Sequence, residues 1–191
     1  MSTFTPVARW IPPAPLTPEY EAFAARCGLQ GPAARVLWAR GIRQPHEVEH
    51  FLHPRLTDLC DPFLLLGMEA AVTRIRRAVA NKEKIMLYGD YDVDGVSSVV
   101  ILSKMLELMG HTPAFHVPDR LKDGYGMQVS VVEQAARDGV NLIISVDTGI
   151  RAIEAVKAAR EVGVDVIITD HHLPEEELPP ACAILNPNQP E

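Results

Sequence analysis

The sequence predicts an α/β fold, a parallel sheet with flanking helices over residues 67–191, preceded by a small helical region over residues 1–66. Three observations predict it. From Gly67 onward, short aliphatic runs alternate with helix-periodic segments of about 10–15 residues, the pattern of βαβ units. Before Gly67, prolines at 12, 13, 15, 18, 32, 45, 54 and 62 divide the chain into short apolar pieces. The composition, 47% hydrophobic and 23% charged over 191 residues, is that of a globular chain long enough to bury a core. Aromatics make up only 6%, so that core is aliphatic.

The elements follow in order. Thr17-Pro18-Glu19 reads as an N-cap with proline at the first helical position, opening a helix to about Arg26. Gly31-Pro32 opens a second to about Arg40, with Val36, Leu37 and Arg40 at helical spacing. Gln44-Pro45 opens a third whose apolar face is Val48, Phe51 and Leu52. Met68, Val72, Ile75 and Val79 make an amphipathic helix, with Arg74, Arg76 and Arg77 on its other positions. The strand candidates are Lys84–Tyr88, Ala114–Val117, Asn141–Val146, Asp165–Ile168 and Ala181–Leu185. Between them, Val96–Met109, Val129–Arg137 and Ile150–Val162 read as helices.

Composition also excludes several classes. No apolar run reaches the roughly 18–20 residues of a membrane span. The N-terminal 18 residues hold no apolar core of a signal peptide. Cys27, Cys60 and Cys182 are odd in number and far apart, so neither a zinc knuckle nor a disulfide framework is expected. A reduced, cytoplasmic protein is the simplest reading. The net charge of -7 argues mildly against a nucleic-acid partner, unless the acids gather around cations.

In open parallel sheets, sites lie beyond the carboxyl ends of the strands. After the first run stand Asp90, Asp92, Asp94 and Gly95; after the third, Asp147-Thr148-Gly149; after the fourth, Asp170-His171-His172. Carboxylates so close repel one another, and hard divalent cations supply the missing charge. Aspartate oxygens with imidazole suit manganese, magnesium or zinc, and Asp147 and His171 would complete a shared site. Two such ions can activate water and stabilise the leaving oxygen of a phosphoryl group. Gly95, Ser97 and Ser98 open the next helix, whose N–H groups suit a phosphate oxygen. Arg120 and Lys122 lie in a glycine-rich loop able to hold phosphates.

Each motif alone has a plainer explanation. Asp90 to Gly95 suits a solvated turn, Asp147 a helix N-cap, and Ser97 or Ser98 ordinary capping. The basic stripe Arg74, Arg76, Arg77, Lys82 and Lys84 suits a solvated helix face better than a strand-tracking surface. Trp10 and Trp38 suit packing better than base stacking. The coincidence of three acidic and histidine motifs at successive strand ends argues for a site.

These residues resemble the DHH phosphoesterase superfamily, named for the triplet Asp170-His171-His172, and within it the RecJ branch of single-stranded-DNA-specific exonucleases. The resemblance is carried by Tyr88 to Ser98, Arg120 to Gly126, Ser145 to Ile150, Ile168 to His172 and Ile184 to Pro187, in that order. It extends to Gly41-Ile42 and Phe51-Leu52-His53-Pro54. It implies 5′ to 3′ hydrolysis of single-stranded DNA to mononucleotides in recombination and repair. It also implies Mn2+ or Mg2+, two ions in the complete enzyme. Carried over by position, Asp92, Asp94, Asp147 and His171 are metal ligands, and Asp90 is a ligand or the partner of one. His172 contacts the scissile phosphate or protonates the leaving group, and Asp170 orients a histidine.

The family also has a further aspartate motif after the triplet, a second domain with a glycine- and histidine-rich substrate motif, and an OB-type module. None is found among the 19 residues after His172, where Glu175, Glu176 and Glu177 are a poor substitute. The expectation is therefore the N-terminal part of a longer exonuclease, with a DHH domain truncated at its C-terminal end. Its partners would be single-stranded DNA, the missing modules or other repair proteins. Alone it would bind metal weakly and have little or no activity. The alternatives are another DHH chemistry (an oligonucleotide or cyclic-dinucleotide phosphodiesterase, or a pyrophosphatase), a haloacid-dehalogenase-like phosphatase using Asp92-Val93-Asp94-Gly95, and a non-catalytic replication scaffold.

Overall fold

In the computed structural model, residues 17–119 and 126–189 are described; Trp10 lies outside them. The chain forms two compact units, Met1–Cys60 and Asp61–Glu191.

The first unit holds three short helices, α1 (Pro18–Cys27), α2 (Gly31–Ala39) and α3 (Pro45–Leu52). Each carries proline in its first turn, where the missing N–H costs nothing. The Thr17 hydroxyl accepts from the Tyr20 N–H, and Gly28 ends α1 in the left-handed region. Gln44 and Glu47 form a reciprocal cap on α3. Phe23, Leu37 and Val48 are the small core. Trp38 stacks edge-on to Tyr20 at 6.0 Å between ring centroids and beneath the Arg43 guanidinium at 3.7 Å. Its role is therefore packing. Of the expected α3 face only Val48 is buried; Phe51 and Leu52 are about half exposed.

The second unit begins with a 3-10 turn at Pro62–Leu64 and α4 (Met68–Ala80). There follow β1 (Ile85–Tyr88), α5 (Val93–Leu108), β2 (Ala114–His116), α6 (Val129–Arg137), β3 (Leu142–Val146), α7 (Ile153–Glu161), β4 (Asp165–Thr169) and β5 (Ala183–Leu185). The five strands are all parallel, in the order β2-β1-β3-β4-β5. Every residue of β1 and β3 is buried, which is why both read as unbroken aliphatic runs instead of alternating ones.

Alternate side chains of these strands feed two cores. Ile85, Leu87, Leu142, Ile144 and Ile167 pack with α4 and α5 through Ala71, Ala78, Val99 and Leu106. Met86, Tyr88, Ile143, Val166 and Ile168 pack with α6 and α7 through Val132, Ala135, Val156 and Ala159. The chain steps from β1 to β2 in one direction and then returns past β1 to β3. Right-handed crossovers put the connecting helices on opposite faces when the direction reverses. The reversal leaves a crevice at the carboxyl ends of β1 and β3, where ligands of such sheets bind.

Arg74 corrects the expected solvated stripe. It is 8% exposed. Its guanidinium donates to Glu83 at 2.7 Å and to Asp165 at 2.5 Å, tying α4 to the amino-terminal edge of the sheet. Arg77 reaches the same Asp165 carboxylate at 3.3 Å. Removing Arg74 leaves the partly buried Glu83 without its partner, so Arg74→Ala is expected to cost about 2 kcal/mol of stability. Urea unfolding checks this, and Arg77→Ala, at an exposed pair, is expected to cost under about 1 kcal/mol.

Candidate active site

The first strand end is organised by backbone contacts. Asp90 is buried, and its Oδ1 accepts from the Tyr91 N–H at 2.6 Å. Asp92 is the N-cap of α5, its Oδ1 accepting from the Asp94 and Gly95 N–H groups, each at 3.0 Å. The bond from Gly95 is the main reason its carboxyl lies below the usual range. The helix thus starts at Val93, earlier than the sequence suggested, and Asp92 caps it, not Ser97 or Ser98. Gly95 sits inside the first turn, where a Cβ would lie 2.5 Å from both the N and O of Asp90. Its glycine is needed so that the helix can close on the Asp90 backbone.

Asp147 ends β3 in the left-handed region, with φ 61, and its N–H donates to the Thr169 carbonyl at 2.9 Å. It does not cap a helix: α7 begins at Ile153, three residues later than expected, with Ala152 at its N-cap. Few non-glycine residues hold this backbone, and such strain gathers at functional sites. The Asp147 carboxyl lies 2.9 Å from His171 Nε2. Burial pushes its pKa up, and the hydrogen-bonded carboxyl of Asp92 pushes further, outweighing the pull of His171. Of the two acids, Asp147 is therefore the one whose carboxyl is raised and Asp92 the one whose carboxyl is lowered.

The triplet follows β4. Asp170 Oδ2 accepts from the Ile150 N–H at 3.0 Å. Its Oδ1 accepts from the N–H of His171 at 2.7 Å and of His172 at 3.1 Å, and faces His172 Nδ1 at 2.7 Å. Burial would raise this carboxyl, but these donors, Ile150 first, together hold it below the usual range. The bond to Asp170 in turn raises the His172 imidazole above its ordinary value. The Ile150 bond also explains the late start of α7, since residues 149 and 150 turn to meet Asp170.

Sequence reasoning missed the asparagines behind the triplet. Asn186, buried just after β5, donates from Nδ2 to the His172 carbonyl at 2.9 Å. Asn188 Nδ2 donates to the His171 carbonyl at 2.6 Å. Asn186 lies in the Ile184 to Pro187 motif that carries the resemblance, but nothing in the motif gave it a role beyond an Asn-Pro turn after a short strand.

The fold brings most of the expected ligands together. One oxygen or nitrogen from each of Asp90, Asp92 and Asp147 lies within 4.8 Å of the others, and so do those of Asp147, His171 and His172. Asp147 belongs to both groups. Asp94 stands outside them and lines an open cleft of about 430 Å³ with Ser97, Ser98, Asp147 and His171. Arg120 and Lys122 lie outside the described residues. Crowded carboxylates, one with its pKa raised by burial and by its neighbour, fit a hard divalent cation that would offset their repulsion.

Both titrations have measurable consequences. A carboxyl raised in the folded state destabilises the fold once it ionises, so metal-free protein gains stability as pH falls through the Asp147 value. At pH 8 in chelator, Asp147→Asn is expected to melt above the parent protein. With Mn2+ at 100 times its Kd, the parent is expected to gain about 2.7 kcal/mol and Asp147→Asn none, read by calorimetry. In metal-free protein, the His172 imidazole is expected to titrate above its ordinary value by NMR and to fall back in Asp170→Asn.

Comparison with known proteins agrees with this fold. Residues 84–191 match the model of the DHH family, N-terminal domain. The single-stranded-DNA-specific exonuclease RecJ of Bacillus subtilis (strain 168) is 45% identical over 157 residues, which is 82% of this chain and 20% of that protein. The protein of the same name from Escherichia coli (strain K12) is 39% identical, over 82% of this chain and 27% of its own length. The crystal structure of RecJ from Thermus thermophilus in complex with Mn2+ superposes with a TM-score of 0.67 at 27% identity. That match covers 91% of this chain and 24% of the other. The chain thus spans about a fifth to a quarter of the relatives it matches.

Proposed function

The chain belongs to the DHH family, and from that premise we propose that it carries the metal-binding half of a nuclease that hydrolyses phosphodiester bonds of single-stranded DNA from the 5′ end. The observation that carries this reading is Asp147, whose carboxylate clusters with those of Asp90 and Asp92 and pairs with His171 at the crevice between β1 and β3. The named relatives support the substrate, and the Mn2+-bound neighbour supports the cation. We assign the chain to recombination and repair in the cytoplasm. Its three cysteines are free, and no described helix is long and apolar enough to cross a membrane.

Asp90, Asp92, Asp147 and His171 are the residues we assign to hold Mn2+ or Mg2+, two ions in the complete enzyme, with Asp94 at the mouth of the cleft. When bound, the ions supply Lewis acidity at the phosphoryl oxygens and acidify the attacking water. The protein's own work is to orient and to move a proton. Asp170 fixes His172 through Nδ1, so Nε2 is the atom that delivers a proton to the leaving oxygen. The bond to Asp170 raises the proton affinity of His172, which favours the protonated ring this role needs. Ser97 and Ser98 line the cleft and offer hydroxyls to a phosphate oxygen.

The test is Mn2+ calorimetry on the chain and on Asp92→Ala/Asp94→Ala, with degradation of single-stranded DNA measured on the same samples. Binding that the double substitution weakens at least about tenfold is expected, with little or no cleavage by the chain alone. Turnover near that of a full-length relative would overturn the second expectation. A folded sample that binds no Mn2+ would overturn the first.

A further inference from the structure

We propose that Arg151 forms a phosphate-binding subsite on the side of the triplet opposite the carboxylate cleft, and that it positions the single strand beside His172. This rests on the nuclease reading above and adds a residue to it.

Asp170 separates two cavities. One is the cleft already described, lined by Asp94, Asp147 and His171. The other, of about 260 Å³, is lined by Arg151, His172, Met127 and Ile150. The two differ in charge. The first gathers carboxylates and suits cations. In the second, the carboxylate of Asp170 is already met by three backbone N–H groups and by His172 Nδ1. Its charge is compensated, and Arg151 brings a positive charge that is felt at the His172 ring.

Arg151 is also held in place. Its Nε donates to the Leu173 carbonyl at 3.0 Å, one residue past the triplet. This bond ties the guanidinium to the segment that carries both histidines. Its two Nη nitrogens have no partner among the described residues. A guanidinium anchored at Nε presents those nitrogens as a planar fork, the geometry that suits two oxygens of one phosphate. The apolar wall of Met127 and Ile150 suits the sugar or base attached to it. In a chain of net charge -7, such a fork next to His172 gives an anionic strand a reason to enter from this side.

The test is binding, since it reads the subsite even where turnover is slow. Oligothymidylate carrying a 3′ fluorophore, with either a 5′-phosphate or a 5′-hydroxyl, is titrated into the full chain with Mn2+ and with chelator, at several KCl concentrations and 4 °C. Mn2+ affinity is measured on the same samples. Arg151→Ala is expected to weaken oligonucleotide binding about tenfold and to reduce the slope of log K against log salt by about 0.7, the value for one phosphate contact on a single strand. Mn2+ affinity is expected to stay unchanged. Arg151→Lys is expected to keep the salt slope and to recover part of the affinity, because it retains the charge without the fork. A loss confined to the 5′-phosphorylated strand assigns the fork to the terminal phosphate, and a loss with both strands assigns it to an internal phosphodiester. Equal affinity and slope in Arg151→Ala, or no oligonucleotide binding by the parent chain, overturns the proposal. Arg151-dependent binding without Mn2+ binding would leave the subsite standing and remove the metal reading.

Discussion

The site is organised around the buried carboxylate of Asp170. Four donors converge on it: the N–H groups of Ile150, His171 and His172, and the His172 ring. An ionised group so deep is tolerated only because every lone pair that matters is met. In meeting them, the β3–α7 loop, the backbone after β4 and the His172 ring acquire fixed positions. Asn186 and Asn188 hold the same backbone from the other side through its carbonyls. Removing the central carboxylate would release both histidines from the strand ends that aim them.

The topology supplies the place where this can happen. Reversal of strand order at β1 and β3 opens the sheet edge where Asp90, Asp92 and Asp147 meet. Asp92 shows how local and tertiary requirements share one side chain: it caps α5 and also faces Asp147. The strain at Asp147 follows from the same crowding, since a left-handed residue at the end of β3 turns its carboxylate toward both ligand groups. Far from the site, Arg74 ties the opposite edge of the sheet with its paired carboxylates.

Charge then divides the surroundings of the triplet. Carboxylates dominate the His171 side, and a guanidinium borders the His172 side. A nuclease must bring a polyanion to a cluster of acids. In the function proposed above, cations would resolve half of that conflict, and the anchored Arg151 would address the other half. The acidic balance of the whole chain therefore says little about its substrate.

The α/β class, the five strands and the motifs at their ends were legible from the residues, because buried parallel strands read as aliphatic runs and acids stand out where those runs stop. The starts of α5 and α7 were misread. Each is set by a contact distant in sequence or by a cap, Asp92 in one case and the Ile150–Asp170 bond in the other, and periodicity does not record either. Arg74 was placed on a solvated face because helical spacing cannot reveal that Glu83 and Asp165 wait across the sheet edge. Likewise, residue types identified Asp147 as an acid at a strand end. Only the packed structure made it the group common to two clusters that could hold a metal ion, with its pKa raised by burial and by the neighbouring Asp92. Sequence order decided which chemistry is available; distances between strand ends, set by the turn of topology at β1 and β3, decided which residues share it.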